Sequence, residues 1–172
     1  MTIAYHEINP ESLDGTLKHG LKCSSRGDKG DDQDIIKTDA FLDKYRPSGP
    51  EEANVSRDNN LYAYLVVNTK ISDITDGKLI EITDFIANSD QVVLRLKIDP
   101  TRCFVSDLDK YDAIKKRIVK SEDLDELRPL AEQYWTQLQP LNQYKTSSIH
   151  RPELMITYDI SPEDITQASL TK

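Results

Sequence analysis

The chain has 172 residues, close to the usual size of one domain and long enough to bury a core without disulfide or metal staples. Hydrophobic residues make up 37% and charged residues 30%, and aliphatic residues recur in periodic runs, which excludes global disorder. The net charge of −8 argues against non-specific nucleic-acid binding, which needs clustered Lys and Arg to displace phosphate counterions.

The densest basic run, Lys115-Lys116-Arg117, falls on an expected helix and reads as a solvated face. No apolar run approaches the roughly 20 residues that span a bilayer, so no membrane association is expected. The first residues, Met1 to Glu7, carry no basic region followed by an apolar stretch, so no signal peptide is expected. Cys23 and Cys103 stand far apart with no metal-like spacing, which suggests a reduced, cytoplasmic setting.

Ile3 to Ile8 is expected to form the first strand. Pro10 then opens a helix carrying Leu13 and Leu17, with Gly20 as its stop and Leu21 packing back on it. Residues 22–33 form a polar loop, and a helix from Asp34 carries Ile35, Ile36, Phe41, Leu42 and Tyr45 until Pro47 ends it. Residues 46–60 read as a long loop by composition.

Leu61 to Val67 is a strand rich in aromatic and β-branched residues. Residues 78–88 read as a short helix or an irregular segment. Val92 to Ile98 is a strong strand, Asp99-Pro100 a turn, and Cys103 to Val105 an extension or partner. Helices are expected over Leu108 to Val119 and Asp123 to Leu138, with Pro129 breaking the second near its start. Leu154 to Ile160 is read as the last strand, then a turn through Ile165 and a frayed tail over residues 166–172. The order is not a regular βαβ alternation, so the fold class is α+β, with one domain over residues 1–165.

Five positions could carry chemistry. Alternation along the first strand puts Ala4, His6 and Ile8 on one face and Ile3, Tyr5 and Glu7 on the other, so His6 is either a handle in a cleft or a satisfied core histidine. Tyr62 and Tyr64 share a strand face, suited to stacking on a planar ring or to forming a half-buried pair. Arg57 offers a planar fork of donors to a phosphate, or lies on the surface. Glu153 heads an apolar strand after Pro152, where a carboxylate can stabilise a developing cation or simply be solvated. The acidic loop from Asp28 to Asp34 lacks calcium-loop spacing, and no metal site is expected.

Taken together these segments resemble the ADP-ribosyltransferase-like fold, in its His-Tyr-Glu branch and in the bacterial DNA ADP-ribosyltransferase toxins. The resemblance runs through Tyr5-His6, then Leu17-Lys18-His19-Gly20-Leu21, then Ser56-Arg57 before Leu61-Tyr62-Ala63-Tyr64. It closes on Pro152-Glu153-Leu154-Met155-Ile156 and Ile160-Ser161-Pro162-Glu163-Asp164-Ile165. It implies a split sheet flanked by helices and a reaction that cleaves the nicotinamide glycosidic bond of NAD, by transfer or by hydrolysis.

The resemblance also assigns roles. His6 would hold a ribose of NAD, Tyr62 or Tyr64 would stack on nicotinamide, and Glu153 would hold the ribose 2′-hydroxyl and stabilise the oxocarbenium-like transition state. Arg26 or Arg57 would bind the pyrophosphate. Partners would be NAD, an unidentified acceptor and, for a toxin, a protein antitoxin. Two departures stand out: His6 is followed by Glu7 rather than threonine, and Arg151 stands where arginine-directed transferases have Glu or Gln. The alternatives are an RNA 2′-phosphotransferase-like enzyme, which shares the fold, and a non-catalytic binding or regulatory module.

Overall fold

The computed structural model describes residues 2–23, 32–47, 55–121, 123–145 and 149–169. The chain is α+β, and among the described residues its strands form three antiparallel sheets. The first sheet joins β1 (Thr2–Ile8), β6 (Val92–Ile98) and β10 (Ile165–Gln167), with β6 in the centre. The second runs β2 (Leu61–Ala63), β9 (Pro152–Ile156), β7 (Cys103–Asp107), β8 (Gln139–Pro140). A third, small sheet holds β3 (Val66–Val67), β4 (Lys70–Ser72) and β5 (Leu79–Glu81).

The first two sheets bury one core between them. Ala4 and Ile8 of β1 and Leu94, Leu96 and Ile98 of β6 meet Val105 of β7 and Leu154 and Ile156 of β9. Because side chains alternate along a strand, the opposite faces need their own cover. The outer face of the second sheet, with Phe104 and Met155, packs against α2 (Gln33–Lys44), α4 (Leu108–Ile118) and α5 (Arg128–Thr136). The outer face of the first sheet, with Tyr5 and Val93, is covered by Ile71 of β4 and by Ile82, Phe85 and Ile86 of α3 (Ile82–Asn88).

Local chemistry sets the element ends. The Asp32 side chain caps α2 by accepting from the amides of Asp34 and Ile35, and Asp107 caps α4 in the same way through Asp109 and Lys110. Gly20 ends α1 (Leu13–His19) at φ 77°, where a Cβ would collide with the Ile160 carbonyl. That close approach lets Leu21 and Ile160 form an isolated bridge.

Three sequence expectations need correcting. Pro129 sits in the first turn of α5 and starts the helix instead of breaking it, because the first turn lacks amide partners anyway. The stretch from Leu61 to Val67 keeps its alternation, every odd residue being buried, but it is not one strand. Leu61 to Ala63 pair with β9, Tyr64 forms a bridge with Tyr5, and Val66 and Val67 turn to β4. The hairpin from β3 to β4 turns on Asn68 and Thr69 at φ 49° and 67°, a left-handed pair in which threonine is an unusual occupant. Finally, Thr166 and Gln167 are not frayed: they pair with Arg95 and Leu94 as part of β10. Among the described residues no helix is long and apolar enough to cross a membrane.

Candidate active site

A cavity of about 190 Å³ opens where β1, β2 and β9 approach one another. His6 and Glu7 reach it from β1, Tyr62, Ala63 and Tyr64 from β2 and the residue after it, Glu153 from β9, and Ile74 from the loop after β4. Residues of both parities on β1 border the cavity. The rim of that strand, an edge strand of its sheet, therefore faces it, and not one side alone.

His6 is 8% exposed, and its Nδ1 lies 2.7 Å from the Tyr62 carbonyl oxygen. A carbonyl can only accept, so Nδ1 carries the proton and the ring is locked in one orientation. This bond ties β1 to β2 beside the backbone bridge, in which the Tyr64 amide donates to the Tyr5 carbonyl at 2.7 Å.

Glu153 is held from behind. Arg57 Nη1 donates to its Oε2 at 2.6 Å, and Ser106 Oγ donates to the same oxygen at 3.0 Å. Arg57 is itself buried at 4% exposure and donates through Nε to Asp39 Oδ1 at 3.2 Å and through Nη1 to Tyr134 Oη at 3.0 Å. Its guanidinium carbon lies 4.5 Å from the Tyr62 ring centre and 4.2 Å from that of Tyr111, so two aromatic faces enclose it. Tyr111 Oη completes the group by donating to Asp39 at 3.0 Å, and Tyr62 Oη donates to the Arg57 carbonyl at 2.6 Å.

Burial alone would push the Arg57 guanidinium down. The surrounding Glu153, Tyr134, Tyr62 and Asp39 more than offset it and hold the group well above its ordinary value. The phenols of Tyr62 and Tyr134 are pushed up, burial being the largest cause, so both stay protonated, Tyr62 donating to Arg57 and Tyr134 accepting from it. Arg57 is thus paired with two carboxylates and is not among the described residues lining the cavity, where its expected role was to hold a ligand phosphate. It positions Glu153. Arg26, the other expected phosphate ligand, lies outside the described residues.

Glu7 takes a different set of partners. Its Oε2 accepts from Tyr64 Oη at 2.5 Å and its Oε1 accepts from Ser89 Oγ. The Tyr64 ring rests edge-on against Phe85, 4.7 Å between centres. Burial, and then Glu7 itself, raise the Tyr64 phenol well above its ordinary range.

The loop bearing Ile74 is clamped to the segment that leads into β9. Arg151 Nε donates to the Ile74 carbonyl at 2.8 Å, while its Nη1 bonds Asp112 at 2.9 Å and Asp109 at 3.1 Å. Gly77, at φ 73°, lets the loop pass so close to the His150 carbonyl that no Cβ would fit.

His6, Tyr62, Tyr64 and Glu153, all singled out from the sequence, therefore line one cavity. Glu7, Ile74, Asp39, Ser106, Tyr111 and Tyr134 were not read as site residues. Glu7 could have been found had β1 been taken as an edge strand; the others carry no local pattern that points to the site. Among the described residues, no group of three or more His, Cys, Asp or Glu side chains is gathered to hold a metal ion. Comparison with protein-family models, curated proteins and solved structures gives no match.

Proposed function

We propose that this chain is an NAD-dependent ADP-ribosyltransferase, or an NAD glycohydrolase, acting in the cavity between the two main sheets. The observation that carries this reading is the convergence of His6, Tyr62, Tyr64 and Glu153 on one cavity from the two ends and the middle of the chain. On this reading the two facing sheets are an ADP-ribosyltransferase-like split sheet, and the cleft lies at the split.

At about 190 Å³ the cavity is smaller than the ~300–1,000 Å³ of drug-sized sites, and it suits one ring better than a whole dinucleotide. Nicotinamide enters it against the tyrosines, and the rest of NAD extends outward. The fixed His6 imidazole meets a ribose hydroxyl. Glu153, with Oε2 pinned by Arg57 and Ser106, presents Oε1 to the nicotinamide ribose, accepting from its 2′-hydroxyl.

The bond between the ring nitrogen and C1′ breaks with its electron pair passing to nitrogen, so nicotinamide leaves neutral. The positive charge passes to the ribose C1′ and ring oxygen, where a carboxylate fixed in advance stabilises it. The acceptor, or water, then forms the new bond at C1′ and releases its proton to solvent. A toxin role, with an antitoxin as protein partner, belongs to the same proposal. The RNA 2′-phosphotransferase alternative is less well supported, because among the described residues lining the cavity there is neither Lys nor Arg to meet a phosphate.

The test is release of nicotinamide from NAD by the native protein and by Glu153→Gln. Release by the native protein that falls at least ~100-fold in the variant is expected. Equal release by both, or none from either with several candidate acceptors present, would leave a binding module as the better reading.

A further inference from the structure

The two carboxylates of the cavity are compensated differently. Glu153 shares its charge with Arg57, which donates to it at 2.6 Å. Among the described residues Glu7 accepts from the neutral hydroxyls of Tyr64 and Ser89, and no Lys or Arg is among those lining the cavity. Hydroxyl donors orient a carboxylate without cancelling its charge. The Tyr64 phenol, held protonated by burial and by Glu7, stays such a donor across the neutral range. A small, mostly apolar cavity with an uncancelled negative wall and tyrosine rings attracts a flat cation more than a neutral ring of the same shape.

We infer that Glu7 is a specificity-determining residue that selects a cationic aromatic ring. The inference rests on the NAD reading for its substrate: the pyridinium form of nicotinamide is such a ring, and Glu7 is its counter-charge. The positive charge leaves the ring as the glycosidic bond breaks. Glu7 therefore strengthens binding of the substrate more than of the transition state, and holds the neutral product less tightly. Glu153 faces the opposite change, gaining a cation as the ring loses one. Loss of Glu7 should thus raise KM and raise kcat with it, whereas loss of Glu153 lowers kcat.

The experiment compares binding of 1-methylnicotinamide, a cation, with binding of neutral nicotinamide, by calorimetry on the whole protein. The native protein is expected to prefer the cation by roughly fivefold or more. Glu7→Gln should bring the ratio close to one while changing nicotinamide affinity less than about twofold. Ser89→Ala, which keeps the charge and removes one tether, should retain the preference. Equal binding of the two rings by the native protein, binding of neither, or an unchanged preference in Glu7→Gln would overturn the inference. Failure of Glu7→Gln to fold leaves the native ratio and Ser89→Ala to decide. Cation preference without nicotinamide release from NAD would sink the catalytic reading alone; release without the preference would sink only the role of Glu7.

Discussion

The two walls of the cavity hold a carboxylate by opposite means. Behind Glu153 lies a closed group of charges, Arg57 between Asp39 and Glu153, walled by Tyr62, Tyr111 and Tyr134. Across from it, Glu7 is held by two neutral hydroxyls near the surface. The difference teaches that position and charge can be set separately. A buried ion pair fixes Glu153 with little freedom, since each partner would be costly to leave unpaired. Hydroxyl donors fix Glu7 and leave its field intact.

The largest expected effect breaks the Glu153 wall. Arg57→Leu would strand Asp39 and Glu153 without their shared cation, and a loss of about 3–5 kcal/mol is expected in urea unfolding. A loss under about 1 kcal/mol would mean the charges are not coupled as described.

Next comes a matched pair of phenol deletions. Tyr111→Phe removes a buried donor from Asp39 and should cost about 1.5–3 kcal/mol. Tyr64→Phe removes a donor from the half-buried Glu7, which water can replace, and should cost about 0.5–1.5 kcal/mol. Equal losses in thermal and urea melts would erase the contrast between the walls.

A smaller effect concerns acid. Burial opposes ionisation of Asp109, but its bonds with His150 and Arg151 outweigh that and hold its carboxyl below the usual range. A depressed folded value contributes stability above the unfolded value of about 3.9, and that share is lost as pH falls through the folded value. The side chain is 44% exposed, so the share is only a few tenths of a kcal/mol, roughly the low end for surface pairs. Asp109→Asn should therefore narrow the difference in melting temperature between pH 7 and the acid limb near pH 3, and an unchanged difference would count against the pairing.

The smallest effect lies away from both walls and gives a baseline for local opening. Burial, and then Asp99, push the Cys103 thiol up to about 12, and burial raises that of the half-buried Cys23 as well. Alkylation followed by mass spectrometry at pH 8 should be slow overall, with Cys23 modified before Cys103. Equal rates would show that the core between the sheets opens as readily as its margin.

Much of the architecture was legible because it rests on local periodicity. Val92 to Ile98 announces a strand by its unbroken β-branched and aliphatic run, and the odd residues from Leu61 to Val67 are all buried as alternation requires. The short pairings were not legible. β4 and β10 are too brief for a periodic signal, and they exist because β3 and β6 offer them an edge. In the site, the order of His6, the tyrosines and Glu153 along the chain was readable. The state of Arg57 was not: Asp39, Tyr111 and Tyr134 come from three different helices, and only packing brings them to it. Glu7 was misread for a simpler reason. Alternation assigns a residue to a face, but an edge strand also has a rim, and the cavity lies there.

The clamp between Arg151, Ile74 and Gly77 bears on what the cavity can admit. It makes the loop and the lead-in to Glu153 one jaw, held by a side-chain bond at Ile74 and by a backbone approach at Gly77 that leaves no room for a methyl group. On the proposed reading, this jaw is the part of the molecule that gauges the breadth of the ring the cavity admits.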